Sequence, residues 1–221
     1  MKASELARYI DHSILHTDCT SKEIENFCKE AISLGTYAVA LNSYWVEEAA
    51  KHLKGSNVLV DAAIGYPLGQ VNKNGKIAEA KYAVASGCDE LDVVMNVGAL
   101  KSGYYDFVKE EIMEIVKVAE GRVVKVIIES GLLNDDEKIK ATNLIIESGA
   151  DFVKTSSGMN NISGATVHDV ELLKRTAAGK IKVKASGGMT NLKIVLSMIE
   201  AGADRIGTKF TQNIMAELTE N

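Results

Sequence analysis

The chain has 221 residues, 46% of them hydrophobic and 25% charged, and carries a formal net charge of −5. That length suits a single domain over residues 1–221, with a core large enough to need neither disulfide nor metal as a staple. The negative balance weighs against nucleic acid or an anionic membrane as partner, and no apolar run reaches the length of a membrane helix or a signal-peptide core, so a cytoplasmic protein is expected.

In chain order, a brief strand near 9–12 opens the pattern and carries Asp11 and His12. A helix follows from Thr20, where Glu23 is spaced for a capping box, and Ile24, Phe27, Cys28, Ala31 and Ile32 keep helical period. Next come a strand at 37–42, a helix begun by Trp45 as a packing residue, and a strand at 58–64. A strand at 90–96 and a helix striped by Phe107, Ile112, Ile115 and Val116, with Glu111 as an exception, lead to strands at 123–129 and 151–156. A strand at 181–186, a helix striped by Leu192, Val195, Leu196 and Ile199, and a strand at 205–208 complete the set. A small residue and a glycine close the helices before the strands at 86–94, 148–154 and 201–207, with a looser copy at 34–40. Glycine suits that position because it takes the left-handed conformation without penalty. Cys19, Cys28 and Cys88 have no framework spacing, and neither Cys28 nor Cys88 has an obvious histidine partner, as expected of a reducing compartment.

Strict β–α alternation without a linker predicts a parallel sheet covered by helices. Eight strands in this length favour a closed α/β (β/α)₈ TIM barrel over an open doubly wound sheet, and no Gly-x-Gly-x-x-Gly follows the first strand to support the latter.

Side chains alternate along a strand, so one parity fills the barrel. That parity holds Asp92, Val94 and Asn96 on one strand, Lys125, Ile127 and Glu129 on another, then Lys154, then Lys182, Lys184 and Ser186. The central picture is three cations, Lys125, Lys154 and Lys184, around one anion, Asp92. Such a cluster favours amine catalysis, because desolvation and a neighbouring cation both lower a lysine pKa and produce a neutral nucleophile. The residues alone leave open whether Lys154 or Lys184 is that nucleophile. Gly187, Gly188 and Gly207 follow the last two strands, where barrels of this kind usually hold phosphate. His12, His16, His52 and His168 lack metal-ligand spacing, and neither a metal nor another cofactor is expected. Asp11 is placed equally well to cap a turn or to assist the chemistry.

These residues resemble the deoxyribose-phosphate aldolase family over nearly the whole chain. The matching segments are Tyr-Ile-Asp-His-Ser at 9–13, Gly-Tyr-Pro-Leu-Gly at 65–69 and Glu-Leu-Asp-Val-Val-Met-Asn at 90–96. Gly-Ala-Leu-Lys-Ser-Gly at 98–103, Val-Lys-Val-Ile-Ile-Glu at 124–129 and Phe-Val-Lys-Thr-Ser-Ser-Gly at 152–158 follow, then Val-Lys-Ala-Ser-Gly-Gly at 183–188 and Arg-Ile-Gly-Thr at 205–208. The resemblance implies that Lys154 forms the Schiff base, Lys184 lowers its pKa, and Asp92 shuttles protons through water, with Lys125 and Asp11 in support. It implies 2-deoxyribose 5-phosphate as substrate, no metal, and a homodimer or homotetramer. Gly158, Gly187, Gly188 and Gly207 become the phosphate cradle. This chain departs from the family in having Ala40, Ser43, Ser-Gly-Leu-Leu at 130–133, and Met159 after Gly158 where a basic residue is usual. Lys209 stands where serine is usual and is expected to supply the missing charge. The tail near 217–221 lacks the family's tyrosine. Two rival readings are another lysine-dependent, transaldolase-like aldolase and a non-catalytic phosphosugar-binding barrel.

Overall fold

In the computed structural model, which describes residues 1–159 and 164–219, each apolar run of the repeat becomes a strand of one closed sheet. The first half runs α1 (Ala3–Ala7), β1 (Ile10–Ile14), α2 (Ser21–Leu34), β2 (Ala38–Asn42), α3 (Val46–Leu53), β3 (Leu59–Ile64), α4 (Lys73–Ala85), β4 (Glu90–Val94). The second runs α5 (Val97–Lys101), α6 (Tyr105–Val118), β5 (Val123–Ile127), α7 (Asp135–Glu147), β6 (Phe152–Lys154), α8 (Val167–Ala177), β7 (Lys182–Ser186), α9 (Leu192–Glu200), β8 (Arg205–Thr208) and α10 (Thr211–Thr219). Each strand pairs in parallel with its neighbours in the chain, and β8 returns to β1, so the fold is the single-domain (β/α)₈ barrel. Of the tail at 217–221, residues 220 and 221 lie outside the described ones.

Local chemistry explains the element ends. Thr20 and Glu23 form the reciprocal capping box at the start of α2. Gly87, Gly149 and Gly202 all have positive φ, as the helix-closing repeat requires. The strands are shorter than their apolar runs. The run at 90–96 leaves the sheet after Val94, because the Asn96 side chain turns to accept the Ala99 N–H and caps α5. Asn96 is therefore a helix cap and not a barrel-interior residue. The run at 123–129 ends at Ile127, and Glu129 takes a left-handed backbone, φ 51° and ψ 63°. On α6 Ile112 and Ile115 are buried as expected, but Val108 and Glu111 are buried with them, while Phe107 is exposed and Val116 half-buried.

The core is the layer between the strands' outward faces and the helices, where Val39, Leu41, Leu91, Val93, Val124, Val126, Val153, Val183 and Ile206 are buried. Trp45 is half-buried and packs against it. Among the described residues no helix is long and apolar enough to cross a membrane.

Candidate active site

The inward parity of the strands carries charge. It brings together Asp11 from β1, Asp61 from β3, Glu90 and Asp92 from β4, Lys125 from β5, Lys154 from β6, Lys184 from β7 and Arg205 from β8, all nearly inaccessible to solvent. Strand register sets the neighbours: Asp92 lies beside Lys125, and Lys154 beside Lys184. Lys182 has the inward parity, but it begins β7 at the opposite mouth and is exposed, so it does not join them.

Lys125 sits at the centre, its Nζ 2.7 Å from Asp61 and from Glu90, 3.3 Å from Asp92 and 3.6 Å from Asp11. Lys184 reaches Asp11 at 2.5 Å, Asp92 at 2.7 Å and Asp61 at 2.9 Å. Arg205 pairs with Asp11 at 2.7 Å, and its guanidinium lies 3.3 Å from the Tyr37 ring centroid. Lys154 shares the same Asp92 oxygen, Oδ2, with Lys184. The expected picture of three cations around one anion is thus corrected: Asp11, Asp61 and Glu90 join Asp92, and Arg205 joins the lysines. The physical reason is cost. A buried ion without a partner loses several kcal/mol even after relaxation, so an excess of buried ammonium groups would not be tolerated.

The cluster treats its lysines differently. Burial alone would push Lys184 down, but Asp11, Asp61 and Asp92 outweigh it and hold its pKa above the ordinary lysine value. Lys125 is raised well above the ordinary value too, again by its four carboxylates against burial. Lys154 goes the other way. Burial depresses it, Asp92 only partly opposes this, and the Lys184 charge adds to the depression. Asp92 is held well below the carboxylate range because Lys125, Lys154 and Lys184 overcome its burial.

A cavity of about 490 Å³ opens above this cluster at the C-terminal ends of the strands. Lys154 and Lys184 reach it, whereas Asp92, Lys125 and Asp11 lie beneath and do not line it. All five expected phosphate-site residues, Gly158, Gly187, Gly188, Gly207 and Lys209, line its walls. Gly187, at φ 81°, is where the two loops meet. A Cβ there would come within 3.0 Å of the Gly164 Cα and 3.3 Å of the Ser156 Cβ, so only glycine lets backbone approach backbone. Met159 is exposed, and the Lys209 ammonium lies 5.3 Å from the Phe210 ring centroid.

Other residues line or support the cavity without having been singled out by sequence. Asp61 and Glu90 obey the same two-residue period that picked out Asp92, and that period was the available signal. Tyr66, on the loop after β3, lines the cavity and donates its hydroxyl to the Ser157 carbonyl at 2.5 Å. The Ser157 N–H in turn donates to both carboxylate oxygens of Glu129 at 3.3 Å. No local sequence pattern announces either bond. His12 points outward from the barrel, stacks on Phe27 at 3.8 Å and bonds Thr211 at 2.7 Å; burial pushes its pKa down to about 4, so it packs as the neutral ring.

Among the described residues, two groups of side chains have ligand-like spacing for a metal. Asp11, Asp61 and Glu90 converge within 4.8 Å, but the ammonium groups of Lys125 and Lys184 already neutralise them. His16, Cys19 and Glu23 also lie within 4.8 Å of one another, with His16 and Glu23 exposed, Cys19 half-buried and Glu23 engaged in the Thr20 cap.

A (β/α)₈ barrel with a desolvated lysine on the floor of its C-terminal cavity has the layout of a barrel enzyme. The sequence model of the DeoC/LacD family aldolase matches residues 6–216, and the chain belongs to that family, whose members are lyases. It is 46% identical to the deoxyribose-phosphate aldolase of Aciduliprofundum boonei, over 99% of each chain. Among solved structures, it superposes on QR15, an aldolase, with a TM-score of 0.93 and 45% identity, covering 98% of this chain and 96% of that one. The tetrameric deoxyribose phosphate aldolase from Aeropyrum pernix matches with a TM-score of 0.92 and 31% identity, over 99% and 92% of the two chains.

Proposed function

We propose that this aldolase reversibly cleaves 2-deoxy-D-ribose 5-phosphate to D-glyceraldehyde 3-phosphate and acetaldehyde, with Lys154 as the amine. The observation that carries the reading is the unequal treatment of the two lysines that share Asp92. Lys184 answers three carboxylates and keeps its proton; Lys154 answers one and is the group whose proton is held least firmly. A neutral amine on the cavity floor can attack the C1 aldehyde of the open-chain sugar. The carbinolamine loses water to an iminium, which draws the electron pair of the C2–C3 bond as the C3 hydroxyl gives up its proton. Glyceraldehyde 3-phosphate departs, and the enamine left on Lys154 takes a proton at C2 and is hydrolysed to acetaldehyde. Asp92, beside Lys154 and Lys184, serves as the proton carrier through water; Lys125 helps hold it ionised, and Asp11 supports the site by pairing with Lys184. No step calls for a metal or an organic cofactor.

The phosphate end is assigned to Gly158, Gly187, Gly188 and Gly207, whose backbone brings N–H groups to one wall, with Lys209 as the cation. Assembly into a homodimer or homotetramer belongs to the same reading, supported by the tetrameric Aeropyrum pernix relative, and light scattering on the purified chain measures it.

The test is intact-mass spectrometry after incubation with acetaldehyde and borohydride, alongside an assay of cleavage of the phosphorylated sugar. A single reduced ethyl adduct in the wild type, absent from Lys154→Ala, together with cleavage, is the expected result. Absence of any adduct in the wild type sinks the Schiff-base reading. An adduct without cleavage moves the chain to another lysine-dependent aldolase reaction.

A further inference from the structure

Ser157 lies three residues beyond Lys154, on the loop that leads from the amine to Gly158. Both peptide groups of Ser157 are gripped by side chains from other strand ends. Tyr66 holds the carbonyl at 2.5 Å, and Glu129 holds the N–H through both carboxylate oxygens at 3.3 Å. A trans peptide is planar, so the Ser157 carbonyl and the Gly158 N–H point in opposite directions within one plane. Fixing the carbonyl therefore aims the Gly158 N–H.

The two holders are themselves firmly built. Tyr66 sits in a turn closed by the Gly69 N–H on the Gly65 carbonyl and anchored by the Gly65 N–H on Glu79, each at 2.8 Å. Gly69 lies so close to β4 that a Cβ would come within 2.2 Å of the Met95 carbonyl oxygen, which presses the turn against the barrel rim. Glu129 is buried and keeps a left-handed backbone without being glycine, a strain that surrounding structure must impose and that collects at functional positions.

We propose that Tyr66 and Glu129 are positioning residues that aim the Gly158 N–H at the substrate's phosphate, setting affinity for the phosphorylated sugar without acting on the amine. This rests on the reading above, in which Lys154 forms the adduct and Gly158 belongs to the phosphate cradle. It goes beyond that reading by giving the cradle's geometry a cause outside its own loop. Neither Tyr66 nor Glu129 takes or gives a proton in the reaction.

The experiment compares wild type, Tyr66→Phe, Glu129→Ala and Glu129→Gln on 2-deoxyribose 5-phosphate and on unphosphorylated 2-deoxyribose. Tyr66→Phe removes one hydroxyl and keeps the ring, so the barrel remains packed. The KM for the phosphorylated sugar should rise about tenfold, as the loss of one well-made hydrogen bond predicts, with kcat changed less than about twofold. The KM for 2-deoxyribose and the rate of acetaldehyde trapping by borohydride should stay at wild-type values. Glu129→Ala should behave like Tyr66→Phe, whereas Glu129→Gln, which retains an acceptor oxygen, should recover most of the affinity. An equal loss on both sugars, a fall in trapping, or no change in KM for the phosphorylated sugar would each overturn the positioning role. A wild type that neither traps acetaldehyde nor cleaves the phosphosugar overturns the functional reading and this role together. A wild type that does both beside an unaltered Tyr66→Phe overturns only the positioning role.

Discussion

Two buried lysines of this barrel, Lys76 and Lys154, share the same departure from ordinary lysine chemistry. Burial lowers the pKa of each, and chiefly one paired carboxylate, Glu111 or Asp92, opposes it. Lys76 lies outside the strands, on α4, where its Nζ pairs with Glu111 of α6 at 2.7 Å and donates to the Val94 carbonyl at 2.8 Å. Lys154 lies inside the strands and reaches the cavity. A depressed pKa thus marks desolvation in both places, and access to a ligand-sized space is what separates Lys76, a structural tie, from Lys154, the proposed nucleophile. Lys76 fastens the helical layer to the end of the strand that carries Asp92.

Exchanging the fates of these lysines is the sharpest way to break the comparison. Lys154→Met should reduce cleavage by at least about a thousandfold and abolish borohydride trapping, with little change in melting temperature. Lys76→Met should do the reverse. It leaves Glu111 buried without a partner and should cost about 3 kcal/mol of stability by denaturant titration, while trapping persists. Changing both partners, Lys76→Met with Glu111→Leu, should recover much of that loss. A Lys76→Met protein that cannot be trapped would show that the helical tie reaches the chemistry.

A smaller effect tests why Lys154 is depressed. Lys184→Met removes a cation that lowers the Lys154 pKa and leaves Asp92 more fully to Lys154, so both changes raise that pKa. The neutral amine then becomes scarcer at a given pH. The rising limb of the trapping rate should move to higher pH, with about a tenfold loss at neutral pH for each unit of movement. An unmoved limb would assign the depression to burial alone. The smallest effect is expected at the rim. Lys209 is exposed, so Lys209→Ala should raise the KM for the phosphorylated sugar only about threefold, and less at high salt. An unchanged KM would remove Lys209 from the phosphate site.

Much of this was legible in sequence because charge inside an apolar strand is costly and therefore conspicuous. Asp92, Lys125, Lys154 and Lys184 stand out against valine and isoleucine, and the period of two turns them inward. Glu90 and Arg205 follow the same parity, but each is the first residue of its strand, where charge is ordinary. Asp61, in mid-strand, carried the same signal as Asp92. The strand ends were read too long because burial continues past the last ladder: Met95 and Ile128 are fully buried, yet lie beyond β4 and β5. The bond from Tyr66 to Ser157 spans 91 residues of sequence, and no local periodicity encodes a contact between loops so far apart. Which of two adjacent lysines is depressed depended on how many carboxylates each one meets, a property of the closed barrel and of no single strand.

Lys125 touches Asp11, Asp61, Glu90 and Asp92, and each of these also faces Lys184, Lys154 or Arg205. No member of that lattice can change sign alone without stranding several others. Substitutions in which opposite charges disappear together therefore cost the barrel less than the loss of one charge alone. Libraries that reverse the sign of one of these positions at a time will sample mostly non-folding chains; libraries that vary an acid and its facing base in tandem have a path out.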